Sequence, residues 1–244
     1  METGGDVTYA IVERGGSAAL VAARGGKVAA SFLPGPDRGA LVARLRERFP
    51  GAREREEEDR DWVQSSRELL QPIEVGRRFF LVPEWRDDPA PHGRFRIAVN
   101  PGRAFGTGVH ETTQLCLEAL EEFVQPGARV LDVGTGSGIL AKASGLLGAA
   151  TVLACDIDPV AVEVAATGFV GSVDAVASEV ADVVVANISP EAITLLAADL
   201  LRARKRGGVL LASGIELADI ETVSAAFPGV REVRRKGNWA LLVV

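Results

Sequence analysis

Four side chains and one turn carry the chemistry this sequence offers: Asp132, Asp156, Asn187, His110 and the run Gly134–Thr135–Gly136–Ser137–Gly138. A dinucleotide-binding turn reads G-x-G-x-x-G and takes a pyrophosphate at the N-terminus of the next helix. Here Ile139 stands where the third glycine would fall, and Asp132 lies just ahead of the turn. A carboxylate at the mouth of the turn repels a pyrophosphate and attracts a cation in a partly dry cleft. S-adenosylmethionine, with its α-ammonium and sulfonium, fits such a turn better than NAD. Gly134, Gly136 and Gly138 let the backbone approach the methionine moiety without a Cβ in the way.

Asp156 lies 20 positions past Gly136, where a ribose-binding carboxylate belongs. Its two oxygens suit a bidentate grip on the ribose hydroxyls, and Ile157 beside it is assigned to the same cofactor-binding set. Asp158–Pro159 is read as a helix N-cap followed by proline in the first turn. Asn187 ends the run DVVVAN. Its amide oxygen can accept from the N–H of a substrate amine and aim the nitrogen lone pair at a methyl group. A turn or cap role before Pro190 is the competing reading. His110 opens HETT, as a helper in proton handling or as a helix cap. A zinc motif H-E-x-x-H would need a second histidine at Gln114, so no metal site is expected.

These residues need a scaffold that gathers strand ends at one lip. From Pro101 onward the chain alternates helix-like and strand-like runs: helix 111–124, then ARVLDV, GILAKASGLLG, TVLACD, PVAVEVAA, DVVVANI, PEAITLLAADLLRA, GGVLLAS and ELADIETVSAAF. Such alternation predicts a mostly parallel sheet with helices on both faces. A closing pair, VREVRRK and WALLVV, adds an antiparallel strand at one side. The run RARKRGG reads as a helix end, where cations suit the dipole.

Residues 1–60 read as a small α+β domain, with strands VTYAIV and KVAASFL, Gly-Gly turns at 15–16 and 25–26, and a helix over PGPDRGALVARLRERFPG. Residues 61–100 read as a connector: a helix in DWVQSSRELLQP, then strands RRFFLVP and RFRIAVN. The run REREEEDRD is a solvated edge or linker.

Bulk composition narrows the class. The chain is 47% hydrophobic and 25% charged with a net charge of −6, so it can build a core and carries no basic stripe for nucleic acid. Cys116 and Cys155 form no C-x-x-C pair, which speaks against a disulfide scaffold or thiolate zinc site. The opening METGGDVTYA lacks an apolar core of signal-peptide length, and no run approaches the roughly 18 apolar residues of a membrane helix. A cytoplasmic protein with no membrane contact is expected.

In order and spacing, NPGRAFGTGVHETT, LDVGTGSGIL, DIDPVAV and VVVANI resemble the ribosomal protein L-eleven methyltransferases (PrmA type), and DWVQSSRELLQPIEVG with VPEW resembles that family's connector. The likeness covers roughly residues 60–244, and AFGTGVHETT is its most specific element. It implies a seven-stranded Rossmann-like domain over 101–244 that uses S-adenosylmethionine, a connector over 61–100, and a substrate-recognition domain over 1–60. It also implies methylation of lysine and N-terminal amines of a large-subunit ribosomal protein, and a monomer is expected. Carried over by position, Thr113, Gly134, Asp156 and Asn187 contact the cofactor, and the loop Phe105, Gly106, Thr107, Gly108 covers its methionine end with His110 nearby.

Four features depart from the family pattern. The first domain is abbreviated, Ser66 stands where a second tryptophan is usual, and Ser189 stands where leucine is usual. Asn187 follows Asp158 by only 29 positions, which must hold two strands and the helices or loops between them. Other readings are a methyltransferase acting on another lysine or a small amine, or a catalytically weak cofactor-binding module. An NAD-linked oxidoreductase is disfavoured by Asp132 and the missing glycine.

Overall fold

The computed structural model describes residues 8–14, 17–24, 27–32, 71–100, 110–165 and 168–244. The chain divides into two units, Met1–Asp59 and Arg60–Val244. In the first, β1 (Thr8–Arg14), β2 (Ser17–Arg24) and β3 (Lys27–Phe32) form an antiparallel meander. The registers Arg14↔Ser17 and Arg24↔Lys27 leave two-residue connections at the two Gly-Gly pairs, the length that favours tight hairpins. β2 is absent from the sequence reading because half of SAALVAAR is alanine, a weak strand former. Pairing on both sides holds it extended. The helix expected within 34–51, the charged run 53–61 and the helix expected over 61–72, but for Gln71 and Pro72, which are not helical, lie outside the described residues.

The first described elements of the second unit are β4 (Ile73–Val75), β5 (Phe79–Pro83) and β6 (Phe95–Val99). β5 and β6 are the two expected strands; β4 is a third, paired antiparallel to β5. Val75, Phe79, Leu81 and Ile97 share a buried cluster with α1 (Glu111–Phe123) and α2 (Ile139–Leu146).

The main sheet comprises β7 (Arg129–Val133), β8 (Thr151–Asp156), β9 (Phe169–Val170), β10 (Ala181–Asn187), β11 (Arg204–Glu216), β12 (Glu232–Lys236) and β13 (Trp239–Val243). Its spatial order is β12-β13-β11-β10-β7-β8-β9. The chain winds outward through β8 and β9, then returns to the other side of β7, so the switch point lies between β7 and β10. The closing hairpin does add an antiparallel strand, but β13 inserts between β11 and β12 and leaves β12 at the edge.

Both faces of the sheet are covered, which is why its strands read as continuous apolar runs. Along β10, Val183 and Val185 enter the cluster shared with α1 and α2. Val184 and Ala186 enter a second cluster, with Ile193 and Leu200 of α4 (Pro190–Ala203) and Val223 of α5 (Ile220–Ser224). Two segments differ from expectation. RARKRGG is not a helix end throughout, since α4 stops at Ala203 and Arg204 opens β11; only Arg202 is a basic residue of the last helical turn. The run ELADIETVSAAF begins as a 3-10 turn, Leu217–Asp219, before the short α5. The 29-residue span is resolved by economy: α3 (Pro159–Ala165), the two residues of β9 and a 3-10 turn Val173–Ala175 fill it.

Candidate active site

The pleat of the sheet decides where the candidate residues point. Side chains two apart on a strand share a face. Asp132 therefore lies on the face of Val130, Asp156 on that of Val152, and Asn187 on that of Val183 and Val185, all in the α1/α2 cluster. Registers Val185↔Asp132 and Asp132↔Ala154 align the strands, so Asp156 and Asn187 each stand two residues beyond Asp132 along the chain direction. At about 3.3 Å per residue, Asp132 sits roughly 6–7 Å deeper. The expectation that Asp132 lies at the mouth of the turn is thus corrected: it lies beneath the turn and is completely buried.

From there Asp132 holds the turn from below. Its Oδ2 accepts from the Thr135 hydroxyl at 2.7 Å and from the Ala141 N–H at 3.0 Å. Its Oδ1 is buried without a hydrogen-bond partner. Burial, with a smaller contribution from the charge of Asp156, raises its pKa to about 6, although both hydrogen bonds oppose the shift. An unsatisfied, desolvated carboxylate oxygen is a demand for a donor or a cation.

The glycines above it are required by geometry. Gly134 has φ +70°, and a Cβ there would come within 2.3 Å of Ile188 Cγ2. Gly138 has φ +74°, and a Cβ would meet the backbone of Ala165 at 2.9 Å. Gly134 and Thr135 both donate to Cys155 O, and Gly138 to Thr135 O, so the turn is tied to the end of β8.

Asp156 ties the same parts from above. Its Oδ2 accepts from Gly136 N at 2.9 Å and its Oδ1 from Asp158 N at 3.0 Å. Each carboxylate oxygen retains a further lone pair for a ligand hydroxyl. Asp158 performs the expected capping, accepting from Val160 N at 2.9 Å. Ile157 between them is 80% exposed, an apolar side chain offered to solvent beside a polar clamp.

Asn187 meets α1. Its Nδ2 donates to Thr113 Oγ1 at 3.4 Å, and Thr113 is itself buried. The competing cap role belongs to Ser189, whose hydroxyl accepts from Ala192 N with Pro190 in the first turn of α4. The departure at Ser189 therefore has a local cause, and it releases Asn187 from capping. His110 is the N-cap of α1, its Nδ1 accepting from Thr112 N at 3.3 Å, and its ring packs edge-on to Trp239 at 4.7 Å.

Asp132, Thr113, Thr135, Gly134, Gly136, Gly138, Asp156, Ile157, Asn187 and His110 thus cluster at the carboxyl ends of β7, β8 and β10 or at the start of α1. Phe105, Gly106 and Thr107 lie outside the described residues. Sequence reasoning missed Ile188, whose side chain fills the space that Gly134 leaves and whose carbonyl lies where a Cβ on Gly214 (φ +94°) would be. A cleft of about 850 Å3 flanks the turn, sharing Ser137 and Gly138 but reaching neither Asp156 nor Asn187. Cys116 and Cys155 are both fully buried, and burial raises both thiol pKa values, Cys155 to about 11. Among the described residues no cluster of His, Cys, Asp and Glu could hold a metal ion, and no helix is long and apolar enough to cross a membrane.

A glycine turn at the switch point, carboxylates ending or underlying two neighbouring strands, and an antiparallel strand inserted near the far edge define a Rossmann-like methyltransferase domain. Residues 41–244 match the family model for ribosomal protein L11 methyltransferase (PrmA), and the chain belongs to that family. It is 44% identical over 185 residues to a ribosomal protein L11 methyltransferase of Symbiobacterium thermophilum, covering 72% of this chain and 61% of that protein. Over 231 residues it is 39% identical to one from Pelotomaculum thermopropionicum, covering 88% of this chain and 71% of the relative. The crystal structure of a ribosomal protein L11 methylase from Lactobacillus delbrueckii subsp. bulgaricus superposes with a TM-score of 0.66 at 32% identity, over 71% of this chain and 97% of that one. The chain spans less than two thirds of the length of several curated relatives it matches.

Proposed function

We propose that this chain is an S-adenosylmethionine-dependent N-methyltransferase acting on lysine and N-terminal amines of ribosomal protein L11. The observation that carries the cofactor assignment is Asp132: a buried carboxylate under a glycine turn, one oxygen unsatisfied, suits a cationic amino acid moiety and no pyrophosphate. Family membership and the names of the relatives carry the substrate assignment. The bound cofactor supplies an electrophilic methyl group on a sulfonium.

The chain's residues supply position. Gly134, Thr135, Gly136 and Gly138 cradle the methionine end, with Phe105, Gly106 and Thr107 assigned to its cover. Asp156 takes the ribose hydroxyls and Ile157 lies against the base. With Asn187 Nδ2 held by Thr113, the Oδ1 is the end left to accept an amine N–H and orient the lone pair, and such placement lowers the barrier without a covalent step. A lysine with an ordinary pKa near 10.4 must arrive neutral, and desolvation at the lip favours that form. His110 is a cap that shapes the entrance; no base is required of it. The first unit is assigned to substrate recognition, and the enzyme to a monomer in the cytoplasm, with no nucleic acid or membrane partner.

Incubation with methyl-labelled S-adenosylmethionine and unmethylated L11 tests this. Label on lysine and N-terminal amines of L11, lost in Asn187→Ala, is the expected result. Label only on other proteins would assign the chain a different target.

A further inference from the structure

We propose that Arg202, at the far end of α4, is a positioning residue for the adenine end of the cofactor site. The inference rests on the cofactor assignment above and adds a residue remote from every assigned contact. The chain leaves Asp156 through α3 and returns beside it in β9, where Asp156 pairs with Val170 and Gly171 N donates to Asp156 O at 2.8 Å. The 3-10 turn Val173–Ala175 follows at once, so it borders the ribose clamp at the same lip of the sheet. On the proposed binding mode, a base attached to that ribose would lie towards this turn.

Val173 and Val176 anchor the turn in the second cluster, but its main chain makes few bonds of its own. β9 has two residues, and the turn's own bonds are Ala175 N to Ser172 O and Val176 N to Val173 O. Arg202 supplies the rest. Its guanidinium donates to Val173 O at 3.1 Å, to Asp174 O at 3.3 Å and to Val176 O, three main-chain acceptors reached by one planar fork. Asp199, one turn back on α4, holds that fork in place at 2.9 Å.

The main chain of the same helical turn continues the clamp. Arg202 O accepts from Glu179 N and Ala203 O from Val180 N. Glu179 has φ +55°, the one non-glycine residue with positive φ among the described residues, a conformation that persists only when its surroundings hold it. Residues 173–180 are therefore docked on the end of a helix whose start is capped two residues after Asn187. Over the 29 positions from Asp158 to Asn187, a side chain from α4 thus ties down a turn flanked by a two-residue strand.

The test uses the full chain and two ligands: S-adenosylhomocysteine, which has both ends, and methylthioadenosine, which has the adenosine but no amino acid tail. In Arg202→Met, Kd for both ligands rises by the same factor, about tenfold if the docked turn falls to a tenth of the population. Arg202→Lys, with one nitrogen in place of a fork, loses less in both. A purely structural role would lower the melting temperature and leave both affinities, measured well below it, within twofold of the wild type; that result overturns the proposal, as does a loss confined to S-adenosylhomocysteine. Should Arg202→Met fail to fold, an Arg202→Lys protein with unchanged affinities overturns it equally. A wild-type chain that binds neither ligand refutes the cofactor assignment instead.

Discussion

The two ends of the proposed cofactor site, one for methionine and one for adenine, are built in opposite ways. At the methionine end, Asp132, Thr135, Gly136 and Ala141 lie within ten residues of one another, and the turn is closed by bonds inside that span and to the adjacent strand end. At the adenine end, the turn Val173–Ala175 is held by Arg202, about 28 residues away. A locally closed turn needs its residue types in a fixed order, whereas a remotely held turn needs only one long side chain at the right place on another element. Change within the first should therefore be far less tolerated than change within the second.

The largest expected effect lies in the glycines. Gly134→Ala places a Cβ at 2.3 Å from Ile188 Cγ2 at φ +70°, and left-handed strain and overpacking together should cost roughly 2–5 kcal/mol of stability. Gly171→Ala, at φ +153°, also strains the backbone, but its Cβ meets only the Phe169 ring at 3.0 Å, so it should cost less. Equal melting shifts for the two would break the contrast.

Asp132→Asn comes next, and its sign depends on pH. The carboxyl titrates near 6 when folded against an ordinary 3.8. Between those values the folded chain binds more protons than the unfolded chain, so stability falls as pH rises through that window and stays lowered above it. Two pKa units correspond to about 3 kcal/mol as an upper estimate. Asp132→Asn should therefore melt higher than wild type at neutral pH, with the gap closing towards pH 4. It should also bind S-adenosylmethionine about tenfold more weakly, since a cation loses its counter-charge. Wild-type affinity should fall as pH drops through about 6, and a pH-independent titration would remove Asp132 from the cation site.

The smallest effects are at the caps. Ser189→Ala and Asp158→Ala each remove one side-chain acceptor from a helix start and should cost about 1 kcal/mol. Neither should change cofactor affinity by more than about twofold, because the Asp158 N–H that holds Asp156 is main chain and alanine keeps it. A loss of affinity in Asp158→Ala alone would show that the capping side chain also sets the clamp.

What could be read from the chain follows the same division. The alternating runs from 111 onward anticipated all seven strands of the sheet except the two-residue β9, and α4 fell on PEAITLLAADLLRA to the residue. Period and capping chemistry are local and survive in a single sequence. Asp132 was recognised but placed a pleat too high, since depth depends on register between strands. Arg202 was read as a dipole partner because nothing around it names three carbonyls some 28 residues earlier. Strand β2, alanine-rich and fixed by its neighbours, was missed for the same kind of reason.

The claim that the turn and Asp132 are built for a cationic adenosyl cofactor is tested most directly by calorimetry, titrating the purified chain in parallel with S-adenosylmethionine and NAD. Saturable one-to-one binding of S-adenosylmethionine, weakened in Asp132→Asn, with no heat from NAD is the predicted result. Binding of NAD without binding of S-adenosylmethionine would contradict it.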